Sequence, residues 1–137
     1  MTNSSCSSSW REMTRTMTND AEMNEIQLAC FSIISFVGDA KSCYMQAVRE
    51  AKKGNLEAAH DLVTQGAKHF VEGHNAHMAL VSREADTGDV PTSLILIHAE
   101  DQLMDAESCK TYALEFIALH EKLEEVCAEI RALREGK

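Results

Sequence analysis

Along most of the chain, apolar residues return every three or four positions, the period of a helix with one buried face. The first such run is Ile26, Cys30, Ile33, Val37, Ala40, Tyr44 and Ala47/Val48. It predicts a helix over about 21–53. Phe31, Ile34 and Phe36 widen its apolar face, so contact on two sides is expected. Gly38 costs helix stability and predicts close approach of a neighbouring helix. Gly54-Asn55 is a helix-stop and turn signal. A second stripe, Leu56, Ala59, Val63, Gly66, Phe70, Gly73, His77 and Val81, predicts a helix over about 56–85, with two glycines where helices pack closely. Asp86 to Val90 forms a polar loop long enough for an antiparallel return.

The third helix is predicted over about 91–135. Pro91 suits a first turn, and Asp89, Thr92 or Ser93 can cap it. No breaker follows until Gly136. Its second half carries Tyr112, Phe116, Leu119, Leu123, Val126, Ile130 and Leu133, a heptad pattern with Glu, Lys and Arg outside. Such a stripe predicts that the helix end projects and pairs with itself in an oligomer, although periodicity does not fix the copy number. The fold class is therefore all-α: an antiparallel, spectrin-like three-helix bundle, up-down-up, over 21–135. Residues 1–20 show no periodicity and are expected to be a disordered Ser/Thr-rich tail, with Trp10 uninvolved.

The length of 137 residues suits one domain. One Pro, six Gly and 5% aromatics argue against a β-sandwich. A net charge of −9 disfavours nucleic acid and favours basic protein partners. The five cysteines have no CxxC spacing, so no disulfide framework is expected. Cys30, Cys43, Cys109 and Cys127 fall in helical patterns and read as small core residues, which fits a reducing cytosol. No run is expected to approach the ~20 apolar residues of a membrane span, and the N-terminus is read as lacking the apolar segment of a signal peptide. The expectation is a cytoplasmic protein without direct membrane insertion.

Histidine chemistry changes this picture most. Glu57-x-x-His60 matches the motif of di-metal carboxylate bundles, but such sites need it twice. None of the other five histidines has Glu three residues earlier. His60 therefore reads as a surface residue, and a metal-storage bundle is disfavoured. His74 and His77 suit zinc if a third ligand exists, or hydrogen bonding at a helix interface, which spacing alone favours. His69 and His120 read as solvated. His98 is different. It follows the aliphatic run Leu94–Ile97 and, on a helix, shares a face with Asp101, Gln102 and Asp105, while Glu100 points away. The apolar lead-in predicts burial, which makes the polar stripe costly unless it is used. Asp101 and Asp105 suit orienting an imidazole or binding a cation. No catalytic triad or Gly-rich phosphate loop can be identified, so covalent transfer through the His98 nitrogen is the simpler chemistry.

The segment Leu94–Met104 resembles the lactose/cellobiose-type enzyme IIA of the bacterial phosphoenolpyruvate-dependent sugar phosphotransferase system (PTS). That family carries a stretch like L-x-x-x-H-[AG]-Q-D-H-L-M. Supporting matches are Gly38-Asp39-Ala40-Lys41, the turn Ala51-Lys52-Lys53-Gly54-Asn55, Glu72 with His74, and Arg83-Glu84-Ala85. The resemblance covers about residues 24–125. It implies a homotrimer with sites in grooves between protomers, a phosphorylated histidine at His98, and a buried acid at Asp101. The family's acid meets its symmetry mates on the three-fold axis and binds a divalent cation, with Mg²⁺ favoured for an all-carboxylate site. Gln102, Glu100, His74 and His77 are the expected supporting residues. Three positions depart from the pattern: Glu100 stands for Gln, Gln102 for His, and His77 for a frequent Gln.

The implied function is a phosphocarrier. His98 accepts a phosphoryl group from phospho-HPr and passes it to a cysteine of the cognate enzyme IIB. Sugar entering through the membrane component IIC, a β-linked disaccharide of the lactose, cellobiose or chitobiose class, is then phosphorylated. The alternative is a non-enzymatic helical oligomeric adaptor that kept the fold and lost transfer, a possibility raised by Glu100 and Gln102.

Overall fold

The structure, a computed structural model, describes the backbone of residues 6–136 and side-chain surroundings from Met23 to Gly136. Three helices follow in order: α1 (Cys6–Ala51), α2 (Leu56–Thr87) and α3 (Leu94–Glu135). The middle of α1 shares one apolar cluster with the end of α2 and the start of α3: Ile26, Cys30, Ile33 and Val37 meet Leu80, Ala99, Leu103 and Ala106. The end of α1 meets the start of α2 and the middle of α3, through Ala40, Tyr44, Ala47, Ala59, Val63, Ala113 and Ile117. That order requires α2 to run against α1 and α3 to run with it, as the periodicity predicts.

The α1 stripe is buried as expected, with Cys30, Ile33, Val37, Ala40 and Tyr44 fully enclosed. Each large aliphatic side chain so enclosed contributes roughly 1.5–3 kcal/mol. Close packing of α2 onto α1 is borne out at both of its glycines. A Cβ at Gly66 would lie 2.6 Å from Tyr44 Cε1, and one at Gly73 would lie 2.8 Å from Val37 Cγ1. Gly38 differs from expectation, since among the described residues no neighbouring helix comes within 4 Å of where its Cβ would be. In α2, Leu80 is buried and Val81 is exposed. Seven residues bring a helix back to nearly the same face, so Leu80, not Val81, follows Gly73 inward.

Three other expectations need correction. α1 begins at Cys6, well before the expected start at residue 21, so most of the expected disordered tail is helical. Residues 1–5 lie outside the described residues, as does the side chain of Trp10. No Pro or Gly occurs before Gly38, so nothing in the covalent chain stops the helix there. Met23–Ala51 is long and apolar enough, by length and composition, to cross a membrane. Its apolar stripe is the one the other two helices bury. Pro91 precedes α3 instead of opening it. Ser93 is the N-cap, its Oγ accepting from the Leu96 N–H at 3.3 Å.

Candidate functional site

α3 carries two apolar faces. Toward the bundle it places Ala99, Leu103, Ala106, Ala113 and Ile117, all buried. Away from the bundle it places Leu94, Ile97, Met104, Tyr112, Phe116 and Leu119, all exposed. The lead-in to His98 is therefore only half enclosed within the protomer: Ile95 and Leu96 pack against the core, while Leu94 is 84% exposed and Ile97 55%, contrary to expectation. The inner face mixes three alanines with Leu103 and Ile117, whereas the outer face carries large side chains alone among these residues. His98 itself is exposed. Among the described residues it has no hydrogen bond or ion pair, whereas His60 and His77 each hold a carboxylate.

The predicted site residues separate around α3. On the α1 side, one turn from His98, Gln102 is half-buried and lines a cleft with Gly38, Lys41, Ser42, Gln46 and Arg49. Lys41 is paired to Asp105, which holds its ammonium above the usual lysine range, chiefly through the hydrogen bond. Lys41 was not among the expected site residues, and Asp105, expected to orient an imidazole or bind a cation, pairs with Lys41 instead. The Gly38-Asp39-Ala40-Lys41 segment was the available signal, but a contact between residues 64 apart is invisible in a linear reading.

On the α2 side, Glu100 and His77 meet: His77 Nδ1 and Glu100 Oε1 are 2.8 Å apart. Two of the departures from the family-like pattern are thus one contact between α2 and α3. His74 is exposed, stacks on Phe70 with ring centroids 6.1 Å apart, and tilts against His77 at 5.8 Å. These side chains, with Leu103 and Met104, line a cleft of about 570 Å³. Glu100, His74 and His77 form a cluster of their own, turned away from the face of His98.

Asp101 stands on the outer face between Ile97 and Met104 and is exposed. Among the described residues, no group of three or more His, Cys, Asp or Glu is placed to hold a metal ion. His74 and His77 therefore gain no third ligand for zinc. One protomer offers a divalent cation only the single Asp101 carboxylate, so Asp101 fits a hard cation only where several copies converge. His60 is exposed and lies 2.8 Å from Glu121 Oε1, a bridge between α2 and α3. His69 and His120 are partly covered, not fully solvated.

The thiols of Cys30, Cys43 and Cys109 are pushed up by burial. Cys127 is exposed instead of lying in a core, because α3 has by then run past its partners. Among the described residues, the buried Tyr44 hydroxyl has no hydrogen-bond partner, and burial pushes it up to about 12.

Residues 28–121 match the family described as PTS system, Lactose/Cellobiose specific IIA subunit. The chain is 35% identical over 80 residues to the lactose-specific EIIA component of Staphylococcus aureus, covering 58% of this chain and 78% of that protein. It is 33% identical over 101 residues to the lichenan-specific phosphotransferase enzyme IIA component of Bacillus subtilis, covering 74% and 92%. The crystal structure of the PTS cellobiose-specific enzyme IIA from Bacillus anthracis superposes with a TM-score of 0.71 at 34% identity, covering 73% of this chain and 92% of that one. The three-helix scaffold is thus that of a sugar-PTS component, and the chain belongs to the lactose/cellobiose-specific IIA family.

Proposed function

We propose that His98 is the phosphorylated residue of this phosphocarrier. The observation that carries the reading is an exposed imidazole at the family-like histidine position, free of partners among the described residues. A neutral imidazole nitrogen attacks the phosphorus of phospho-HPr. The P–N bond to the donor histidine breaks as a P–N bond to His98 forms. A thiolate of enzyme IIB then takes the phosphoryl group and frees the imidazole. Catalysis at such a site is mostly positioning and charge neutralisation. Gln102 and Lys41, which line the adjacent cleft, suit contact with the phosphoryl oxygens.

The working unit is a homotrimer in the cytoplasm. Its protomers meet along the outer face of α3, where Leu94, Ile97 and Met104 flank Asp101. Three Asp101 carboxylates brought together repel one another, so a shared divalent cation, Mg²⁺ by donor chemistry, or bound protons would neutralise them. The sugar is a β-linked disaccharide, in keeping with relatives named for lactose, lichenan and diacetylchitobiose.

The test is phosphate uptake with enzyme I, HPr and labelled phosphoenolpyruvate. The native chain should take up one phosphate per chain. His98→Ala should keep the native mass and helicity and take up none. Label on the His98→Ala chain would refute the site. No label on the native chain would favour an oligomeric adaptor.

A further inference from the structure

The outer stripe of α3 does not stop where the family match stops, at residue 121. Leu123, Val126, Ile130 and Leu133 continue it, and each is about half exposed or more. At about 100° per residue, the whole set from Leu94 to Leu133, Asp101 included, falls within a band ~120° wide on a straight helix. That band lies roughly opposite the buried face of Ala99, Leu103, Ala106, Ala113 and Ile117. From Phe116 onward the spacing alternates three and four, the knobs-into-holes repeat of a coiled coil. Phe116, Leu123 and Ile130 are then the a positions, and Leu119, Val126 and Leu133 the d positions.

We infer that this overhang closes on the same overhang of the other copies as a parallel coiled coil, a seam of its own running on from the Asp101 contact. The inference rests on the trimeric reading above. The flanking charges favour parallel pairing. In a parallel coil, a g residue faces the e residue five positions later on its neighbour. Here that places Glu129 against Arg134 and Glu115 against His120, acid against base in both cases. The mixed Leu, Val, Ile and Phe seam does not choose the number of strands, so the body of the trimer sets it at three. The stretch past the family match adds about 20 Å of helix at 1.5 Å per residue.

Two experiments on the full-length chain test this. In a Cys127→Ser background, Leu133→Cys should form a disulfide between copies under mild oxidation, because only parallel ends bring these positions together. Separately, Leu123→Lys/Ile130→Lys alters side chains exposed in the protomer, so the bundle should fold and accept phosphate from phospho-HPr. It should need at least tenfold more protein to hold trimer mass across a dilution series followed by native mass measurement. A trimer that shows no disulfide at position 133 and is indifferent to the lysines would overturn the coil. It would leave the carrier reading standing and the seam open to a helix of another protein. A full-length chain that stays monomeric would overturn both. A disulfide-forming trimer that takes up no phosphate would uphold the coil and overturn the carrier.

Discussion

The two faces of α3 use the same helical period and differ in side-chain size. Inside, Ala99, Ala106 and Ala113 alternate with Leu103 and Ile117, so α1 and α2 can come close. Outside, Leu94, Ile97, Met104, Phe116 and Leu119 stand into open space in the protomer. Small residues suit a surface fixed within one chain, where the connecting turns have already paid part of the entropy of approach. Large ones suit a surface that must bury enough area to bring separate copies together. Two faces of one helix therefore report two levels of organisation.

The inner face should break most readily. Ala106→Leu forces a larger side chain into a fully enclosed position and should cost about 1–3 kcal/mol, read as a lower urea midpoint at every protein concentration. On the outer face, Met104→Ser should behave differently. Its midpoint should match the native chain at high dilution and fall behind as protein concentration rises, because assembly stabilises only what it binds. Equal shifts at all concentrations would place Met104 in the protomer's own packing and erase the contrast.

The smallest effect belongs to Tyr44, within the inner core. Its buried hydroxyl has no partner among the described residues, so Tyr44→Phe should be neutral or stabilising, within about 1 kcal/mol. The same change should alter the alkaline limb of the stability curve. The phenol is raised in the folded state to about 12, from an ordinary value of about 10. Between those values the unfolded chain releases the proton and the folded chain keeps it, so stability falls as pH rises through that window. The thiols of buried Cys30 and half-buried Cys43 and Cys109 act in the same sense from lower pH. Thermal melts across this range should show a shallower decline in Tyr44→Phe.

What the sequence disclosed follows the same division. The α1 stripe was legible because one strongly apolar face repeats at the helical period without interruption, and the structure buries it. The start of α1 was not, because Ser, Thr and Asn weaken the pattern without supplying a breaker. For α3, the apolar lead-in before His98 suggested burial, since a linear pattern records that residues are apolar and not which neighbour covers them. Cys127 was misplaced for the same reason. Gln102 was legible beside His98 because both lie on one helix. Lys41 with Asp105, and His77 with Glu100, join different helices, and only the fold brings them within reach.

The α1–α2 turn has a consequence for the overhang. Gly54 has φ +84, and a Cβ there would lie 2.7 Å from Glu124 Oε1, while His60 holds Glu121 nearby. The turn thus meets the base of the overhang through carboxylate tips of α3, flexible ends that yield more readily than backbone. Beyond this support, a tilt of a few degrees grows with leverage toward Glu135. Small movements where Glu121 and Glu124 touch α2 and the turn are therefore magnified at the far end of the protomer.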